Sequence, residues 1–173
     1  MRRSFLVPET LETERLRLRL PRAEDFPAYA AMLADPEVNR FVGGAGLADR
    51  AEAYRAFGWL FGHWHLRGYG PWLVEDRASG ALVGRVGGFH PLEWPAMEIA
   101  WTLDRAWWGR GLAQEAATAA RETVREHLRP DRLISVVALD NEPSQRLARR
   151  LGCRAAERIA IWGIDCIVFD HPA

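Results

Sequence analysis

Alternation of leucine and arginine predicts the first strand of this chain. Residues 16–20 alternate these two side chains with the period of two expected when one face of a strand is buried, and Pro21 ends the run. Two helices are predicted next. The first covers Glu24 to Ala34, where apolar residues recur at helical spacing, and the second starts after an N-cap at Asp49. A glycine-rich turn at residues 43–46 is expected between them.

Strands dominate the middle of the pattern. Residues 72–75 and 82–89 are apolar runs on either side of a turn at residues 78–80, and together they predict a hairpin. A further strand is expected from Met97 to Leu103. Three glycines interrupt the strand predicted at residues 82–89, which indicates a bulge or a close backbone neighbour. They are Gly84, Gly87 and Gly88.

The second half of the chain predicts a helical crossover between two strands. A helix is expected from Leu112 to Leu128, and the continuous apolar run from Leu133 to Leu139 is typical of a strand covered on both faces. A short helix follows from Ser144, an expected cap, to Leu151, and two last strands lie at about 158–162 and 164–169. A strand–helix–strand crossover inside a hairpin-connected sheet predicts an α/β fold with a mixed sheet and helices on its faces.

Composition narrows the classes of function. The length suits a single domain over residues 1–173, and a formal net charge of zero gives no general attraction to nucleic acid or acidic membranes. The chain has no lysine, which excludes a reactive-lysine mechanism. Cys153 and Cys166 lack the Cys/His partners of a zinc site, so no metal is expected. With neither a signal-type apolar run nor a membrane-length stretch, a cytoplasmic protein is expected.

The turn before the long helix predicts a phosphate site. Gly109 and Gly111 can adopt backbone angles closed to other residues, and without a Cβ they let a ligand approach closely. The helix beginning at Leu112 directs its unpaired N–H groups and positive dipole end at this turn. The turn lacks both the Gly-Lys-Ser/Thr of a P-loop and the third glycine of a Rossmann fingerprint.

The order of elements and two segments carry a resemblance to a known family. Trp108-Gly-Arg-Gly-Leu-Ala113 and Asn141-Glu-Pro-Ser144-Gln-Arg-Leu147 resemble the GNAT family of N-acetyltransferases. Residues 13–19, 34–38 and 98–101 are similar to its branch of ribosomal-protein alanine acetyltransferases. The resemblance implies a mostly antiparallel central sheet of seven strands, with a splayed parallel pair at its centre and about four flanking helices.

The resemblance also implies acetyl-CoA as the acyl donor. The backbone of residues 101–103 would bind the pantetheine arm and polarise the acetyl carbonyl, while the glycine turn would bind the diphosphate with Arg110 adding positive charge. Asn141 would hydrogen-bond the pantetheine and Ser144 would approach the sulfur. The full donor site implied is Trp101, Thr102, Leu103, Trp108, Gly109, Arg110, Gly111, Leu112, Ala113, Gln114, Asn141 and Ser144.

Two residues are candidates for catalysis. Glu98 is the first candidate base for the acceptor amine, directly or through water; its alternative role is a strand carboxylate that orders substrate or pairs with an arginine. His90 is a second candidate base, although beside Pro91 it also fits a loop residue. Many relatives have a tyrosine four residues after Ser144, where this chain has Ala148, so Ser144 or water must supply the proton for the leaving thiolate.

The sequence does not identify the amine that accepts the acetyl group. It is either a protein N-terminus or a small molecule such as an antibiotic or amino acid, and a catalytically silent acyl-CoA-binding module is the alternative. A monomer and a homodimer are both compatible with the sequence. Of four tryptophans in segments that line the acceptor side in such folds, one or two are expected to face a cleft: Trp59, Trp64, Trp72 and Trp94.

Overall fold

The computed structural model describes residues 5–42 and 49–173, which form eight strands and five α-helices. The strands are β1 (Thr10–Glu12), β2 (Leu16–Arg19), β3 (Pro71–Asp76), β4 (Leu82–Phe89), β5 (Met97–Leu103), β6 (Leu133–Ala138), β7 (Arg154–Ile161) and β8 (Ile164–Asp170). The helices are α1 (Phe26–Ala34), α2 (Pro36–Asn39), α3 (Arg50–Arg67), α4 (Leu112–Leu128) and α5 (Glu142–Arg150). The turn predicted at residues 43–46 lies outside the described residues.

All strands join one sheet in the order β1-β2-β3-β4-β5-β6-β8-β7. Each neighbouring pair is antiparallel except β5 and β6, which run parallel and are connected through α4. The predicted α/β class, with a mostly antiparallel sheet and a parallel pair near its centre, is confirmed. The crossover therefore lies where the sequence placed it, between residues 97 and 139.

The sheet has eight strands rather than the seven expected. The additional strand is β1, whose three residues are exposed or half-buried and so leave no apolar alternation to detect. Pairing with β2 defines it, from Thr10 opposite Arg19 to Glu12 opposite Arg17. A second addition is the four-residue α2, which restarts the helix after Asp35 because that side chain accepts the backbone N–H of Glu37.

One face of the sheet is covered by α4. Its buried side chains, which include Ala116, Ala120 and Val124, pack against the apolar residues of the central strands. A Cβ on Gly88 would lie 3.2 Å from Val124 Cγ2, and one on Gly84 would lie 2.2 Å from the Thr102 carbonyl oxygen. The interrupting glycines of β4 therefore do mark close neighbours, as the sequence indicated.

The opposite face is covered by α1 and α3. Buried residues of both helices, among them Tyr29, Leu33 and Phe57, form a second cluster with Leu73 of β3. The predicted cap of α3 is confirmed, because Asp49 accepts backbone N–H groups at its first turn. Among the residues that the structure describes, no helix is both long and apolar enough to cross a membrane.

Candidate active site

The two parallel strands separate after two paired positions. Met97 lies opposite Leu133 and Glu98 opposite Ile134, and no further residues of β5 and β6 are in register. Beyond that point a side chain replaces the backbone ladder, since the Val136 N–H donates to Glu98 Oε1 at 3.1 Å. The apex of the opening therefore contains the carboxylate that the sequence suggested as a base.

A second side chain bridges the same opening. Ser135 Oγ donates to the Ile99 carbonyl oxygen at 2.7 Å and lies 3.0 Å from His171 Nε2. Because the single hydroxyl proton goes to Ile99, His171 must donate through Nε2, and its Nδ1 is buried without a hydrogen-bond partner. Burial lowers the pKa of His171 to about 4, so the ring stays neutral and the bridge persists at physiological pH.

Glu98 is held as a buried carboxylate whose two oxygens both accept hydrogen bonds. Trp94 Nε1 donates to Oε2 at 2.7 Å, opposite the bond from Val136, and only 5% of the residue is exposed. Burial raises the pKa of Glu98 to about 7, against the opposing effects of these two donors and of the Arg85 charge. A carboxylate with this pKa can exchange a proton at neutral pH, which suits a general base.

The separated part of β5 directs backbone groups into the opening. The carbonyls of Ile99 and Leu103 both face it, because Ser135 bonds the first and Trp108 Nε1 donates to the second at 2.9 Å. Because backbone groups alternate in direction along a strand, the N–H and C=O of Trp101 also point into the opening. Trp101 has no register partner on β6. Thr102, by contrast, turns its carbonyl toward β4, so its backbone faces away from the opening.

The predicted phosphate turn has the backbone that its glycines allow. Gly109 and Gly111 have φ angles of 75° and 77°, in the left-handed region, and Gly111 is the N-cap of α4. The Arg110 guanidinium lies over the Trp107 ring, 4.9 Å from its centroid, and outside the cavity lining, so its contribution of charge near a diphosphate stays a prediction. Its carbonyl accepts a bond from Arg15, which fixes the turn against β2.

The residues before α5 form one connected unit. Asn141 is the N-cap of α5, since its Oδ1 accepts the Ser144 N–H at 3.2 Å. The expectation that Ser144 is a cap is wrong, because α5 begins at Glu142. Trp101 Nε1 donates to Ser144 Oγ at 3.2 Å, which leaves the hydroxyl proton available to a ligand. Ala148 is fully buried, so no polar group enters the cavity at that position.

A cavity of about 1150 Å³ runs through the opening and brings these elements together. It spans both faces of the sheet at the point where β5 and β6 diverge. The sequence-predicted site residues that line it are Glu98, Trp101, Thr102, Leu103, Trp108, Gly109, Gly111, Leu112, Ala113, Gln114, Asn141 and Ser144.

Aromatic rings surround Glu98 on the face that carries α3. Trp59 and Trp94 line the cavity, whereas Trp64 and Trp72 are buried in the core, so two of the four proposed tryptophans face the cleft. Trp162 also lines it, with its ring centroid 5.4 Å from that of Trp94. Sequence reasoning missed Trp162 because it lies at the tip of the β7–β8 hairpin, far from the other site residues in the chain.

The histidine that enters the cavity is His63 rather than His90. His63 stacks on Phe89 with ring centroids 5.4 Å apart, and its Nε2 accepts the His90 backbone N–H at 3.3 Å. Burial, followed by the Arg67 charge, lowers the pKa of His63 to about 4. A ring with this pKa and an occupied Nε2 is a weak base, and His90 does not line the cavity.

Arg85 is a further cavity residue that the sequence reasoning did not identify. It projects from β4 opposite Thr102, and its charge acts on the neighbouring Tyr29 phenol. The available signal was its position as the one charged residue in the run Leu82–Phe89. Within residues 5–42 and 49–173, no group of three or more His, Cys, Asp or Glu side chains is arranged to hold a metal ion.

Comparison with known proteins gives consistent matches to one family. A family model described as an acetyltransferase (GNAT) domain matches residues 15–154. The crystal structure of an acetyltransferase from Agrobacterium tumefaciens str. C58 is 32% identical with a TM-score of 0.84, covering 95% of this chain and 94% of that one. YkkB of Bacillus subtilis (strain 168) is 27% identical over 169 residues, which are 94% of this chain and 95% of YkkB.

A structure of the ribosomal L7/L12 α-N-protein acetyltransferase RimL in complex with coenzyme A shares the fold. It has a TM-score of 0.76 at 17% identity, covering 94% of this chain and 97% of that one. The family match extends over most of the chain and includes β5, the glycine turn and α5. The chain therefore belongs to the GNAT acetyltransferase family and is an acyltransferase.

Proposed function

We propose that this protein transfers an acetyl group directly from acetyl-CoA to a primary amine, with Glu98 as the general base. The observation that carries the proposal is the position of this carboxylate at the apex of the separated strands, where burial raises its pKa to about 7. It borders the cavity and is ionised in a large fraction of molecules at neutral pH. An amine bound beside it would lose its proton to Glu98 before or during attack on the thioester.

The described residues fit acetyl-CoA as the donor. The left-handed glycines at 109 and 111 leave the N-terminus of α4 open to a diphosphate, and a Cβ on Gly111 would have only Arg15 Nη2 nearby, at 3.6 Å. The pantetheine arm would take the place of the missing ladder along β5, pairing with the backbone of Trp101. A cavity of about 1150 Å³ has room for the donor's reactive end and an acceptor.

Two further groups meet the remaining demands of acetyl transfer. The Trp101 N–H, with no strand partner on β6, is a suitable donor to the oxyanion that develops on the acetyl carbonyl. The Ser144 hydroxyl accepts from the Trp101 indole and so retains its own proton for the departing thiolate. A thiol has a pKa of about 8.5, which makes the thiolate a good leaving group that needs only a weak donor.

Direct transfer is favoured over a covalent acyl-cysteine route. Cys166 lines the cavity, but burial, with a further contribution from the Glu98 charge, raises the pKa of its thiol. Burial raises the pKa of Cys153 to about 11, and this residue does not line the cavity. Neither thiol is therefore ionised enough at neutral pH to act as an activated nucleophile.

A silent acyl-CoA-binding module is the second candidate function, and Ala148 is the observation that favours it. This buried alanine supplies no acid where many family members have a tyrosine. The presence of Ser144 within reach of the same region favours catalysis instead. The two functions make the same prediction for donor binding and opposite predictions for turnover.

The test combines a binding measurement with a turnover measurement. Saturating acetyl-CoA should raise the melting temperature, since a ligand of the native state stabilises it by mass action. Thiol release is then followed across a panel of N-terminal peptides and small amines, and mass spectrometry identifies the acetylated product. Binding without release of thiol by any amine would support the silent module, and the absence of binding would contradict both functions.

A further inference from the structure

The cavity contains a cation without a counter-ion. Arg85 lines the cavity from β4, and its Nε is buried without a hydrogen-bond partner. The group whose pKa its charge affects on this side is the Tyr29 phenol, which is neutral. No carboxylate of the described residues lies within ion-pair distance of Arg85. A half-buried guanidinium without a counter-ion is a suitable binding group for an anion.

Other arginines of the same cavity differ in this respect. Arg40 pairs with Asp140 at 3.8 Å, Arg146 pairs with Glu142 at 3.3 Å, and Arg55 pairs with Glu52. These three are exposed side chains at the rim, whereas Arg85 is half-buried on the floor. Arg150 also lines the cavity without an ion pair among the described residues, but its side chain is exposed. Arg85 is therefore the half-buried arginine of the described cavity lining that lacks a counter-ion, and an anion inside the cavity would bind there.

Arg85 and Glu98 project from the same face of the sheet. Arg85 lies opposite Thr102 and Phe89 lies opposite Glu98, so the two charged residues are four ladder positions apart, which is about 13 Å along the strands. The pair between them, Gly87 and Ala100, has almost no side-chain volume. Arg85, Ala100 and Glu98 all line the cavity, so the cavity extends from the cation to the carboxylate, and the Arg85 charge is near enough to act on Glu98.

We propose that the acceptor is a small amine that also carries a carboxylate or similar anionic group several bonds away, and that Arg85 binds this group. The amine would lie at Glu98 and the anion at Arg85, with the aromatic rings of Trp59 and Trp94 beside the linking atoms. This rests on the proposed acetyl transfer and narrows its acceptor class. A planar guanidinium suits a carboxylate because it can donate two parallel hydrogen bonds.

The test uses matched acceptors that differ only in charge. Thiol release is measured for 4-aminobutanoate and 6-aminohexanoate and for the corresponding neutral amides, with wild type, Arg85→Met and Arg85→Lys. Wild type should prefer the better carboxylate over its amide by about 10-fold or more in kcat/KM. Arg85→Met should reduce that ratio to about 1, even where the loss of its charge near Glu98 changes kcat/KM for both acceptors, and Arg85→Lys should retain part of the preference.

Arg55→Met is the control, because it removes a cavity-rim cation that already has a partner; it should leave the ratio unchanged. Equal kcat/KM values for carboxylate and amide in wild type would overturn the inference and leave the proposed transfer intact. A uniform change for both acceptors in Arg85→Met would also overturn it, since Arg85 would then act only through Glu98.

A binding measurement separates failure of the inference from failure of the proposed function. If no amine is acetylated, the proposed transfer fails, but 6-acetamidohexanoate can still be tested as a ligand by the shift in melting temperature. Stabilisation of wild type and Arg55→Met that Arg85→Met abolishes would support the anion site. The same shift in all three proteins, or no shift in wild type, would overturn the anion site. The melting temperatures without ligand show whether each variant is folded.

Discussion

At the scale of single residues, Glu98 combines a structural and a chemical role. Its carboxylate substitutes for a backbone acceptor where β6 turns away from β5, and the same burial that this requires raises its pKa to about 7. The separation of two strands thus gives a carboxylate whose pKa suits the general base that we propose. The arrangement costs stability whenever the buried carboxylate is ionised.

The first prediction concerns that cost. Folded protein retains the Glu98 proton between about pH 4.5, the ordinary pKa, and about pH 7, where the unfolded chain has lost it. The free energy of unfolding should therefore fall as pH rises through this window, by about 3 kcal/mol from this group. His63 and His171, with lowered pKa values, act in the opposite direction between about pH 4 and 6.5.

Urea unfolding of wild type and Glu98→Gln at several pH values isolates the Glu98 contribution, because the two histidines cancel in the difference. Relative to the variant, wild type should lose stability between pH 5 and pH 8. Glutamine has one oxygen for the two donors at Val136 and Trp94, so a constant destabilisation of about 1 kcal/mol is expected in addition. A difference that is the same at both pH values would contradict the raised pKa.

The second prediction concerns Ser144. We propose its hydroxyl as the proton donor to the leaving thiolate, so Ser144→Ala should lower kcat by about 10-fold to 100-fold with little effect on the KM for acetyl-CoA. The capping bond would persist, because Asn141 accepts the backbone N–H of residue 144. Steady-state kinetics with an amine acceptor of low pKa measure this effect. An unchanged kcat would show that water serves as the proton donor.

At the scale of elements, the phosphate turn depends on two left-handed glycines at the start of α4. The third prediction is that Gly111→Ala weakens acetyl-CoA binding by at least 10-fold, because the added Cβ enters the space that the diphosphate would occupy. The variant should also lose about 1–2 kcal/mol of stability from its positive φ.

Gly80→Ala is the matched control for backbone strain. Gly80 has a φ of 73°, no atom within 4 Å of its added Cβ, and a position in the β3–β4 turn away from the cavity. Both variants should lose similar stability in urea, whereas only Gly111→Ala should lose the thermal shift caused by acetyl-CoA. Equal affinity for acetyl-CoA in the two variants would argue against a phosphate site at this turn.

The same elements indicate how far the sequence could predict the fold. The bounds of β4, β5 and α4 agree with the sequence interpretation at both ends, because glycine, proline or a change of period marks each boundary. The short β1 has no such signal and is defined only by its partner β2. Strand β7 begins at Arg154, four residues earlier than predicted, since its mostly exposed residues lack an apolar alternation.

The sequence could also predict only part of the candidate site, for a different physical reason. Residues close in sequence to the glycine turn and to Asn141 could be predicted, because their spacing fits a family pattern. Trp162 and Arg85 could not, since they approach Glu98 only through the β7–β8 hairpin and the β4–β5 register. The bond from Val136 to Glu98 likewise requires knowing where two strands stop pairing, which no local pattern records.

At the scale of the whole molecule, the proposed function places both substrates at one separation in the sheet. The opening between β5 and β6 would admit the donor along Trp101 and the α4 turn, while the rings on the α3 face would border the acceptor. Glu98 lies at the apex between them. We therefore expect acetyl transfer to depend on the ionised Glu98 carboxylate.

The most direct measurement of that claim is the pH dependence of kcat/KM for wild type and Glu98→Gln with the best amine of the panel. Wild-type activity should rise with pH through a pKa of about 7, because the base must be ionised, and a second limb should follow the pKa of the amine. The variant should lose the limb near pH 7 and at least 100-fold of the activity at pH 7.5. Equal rates and the same limb in both proteins would contradict the account.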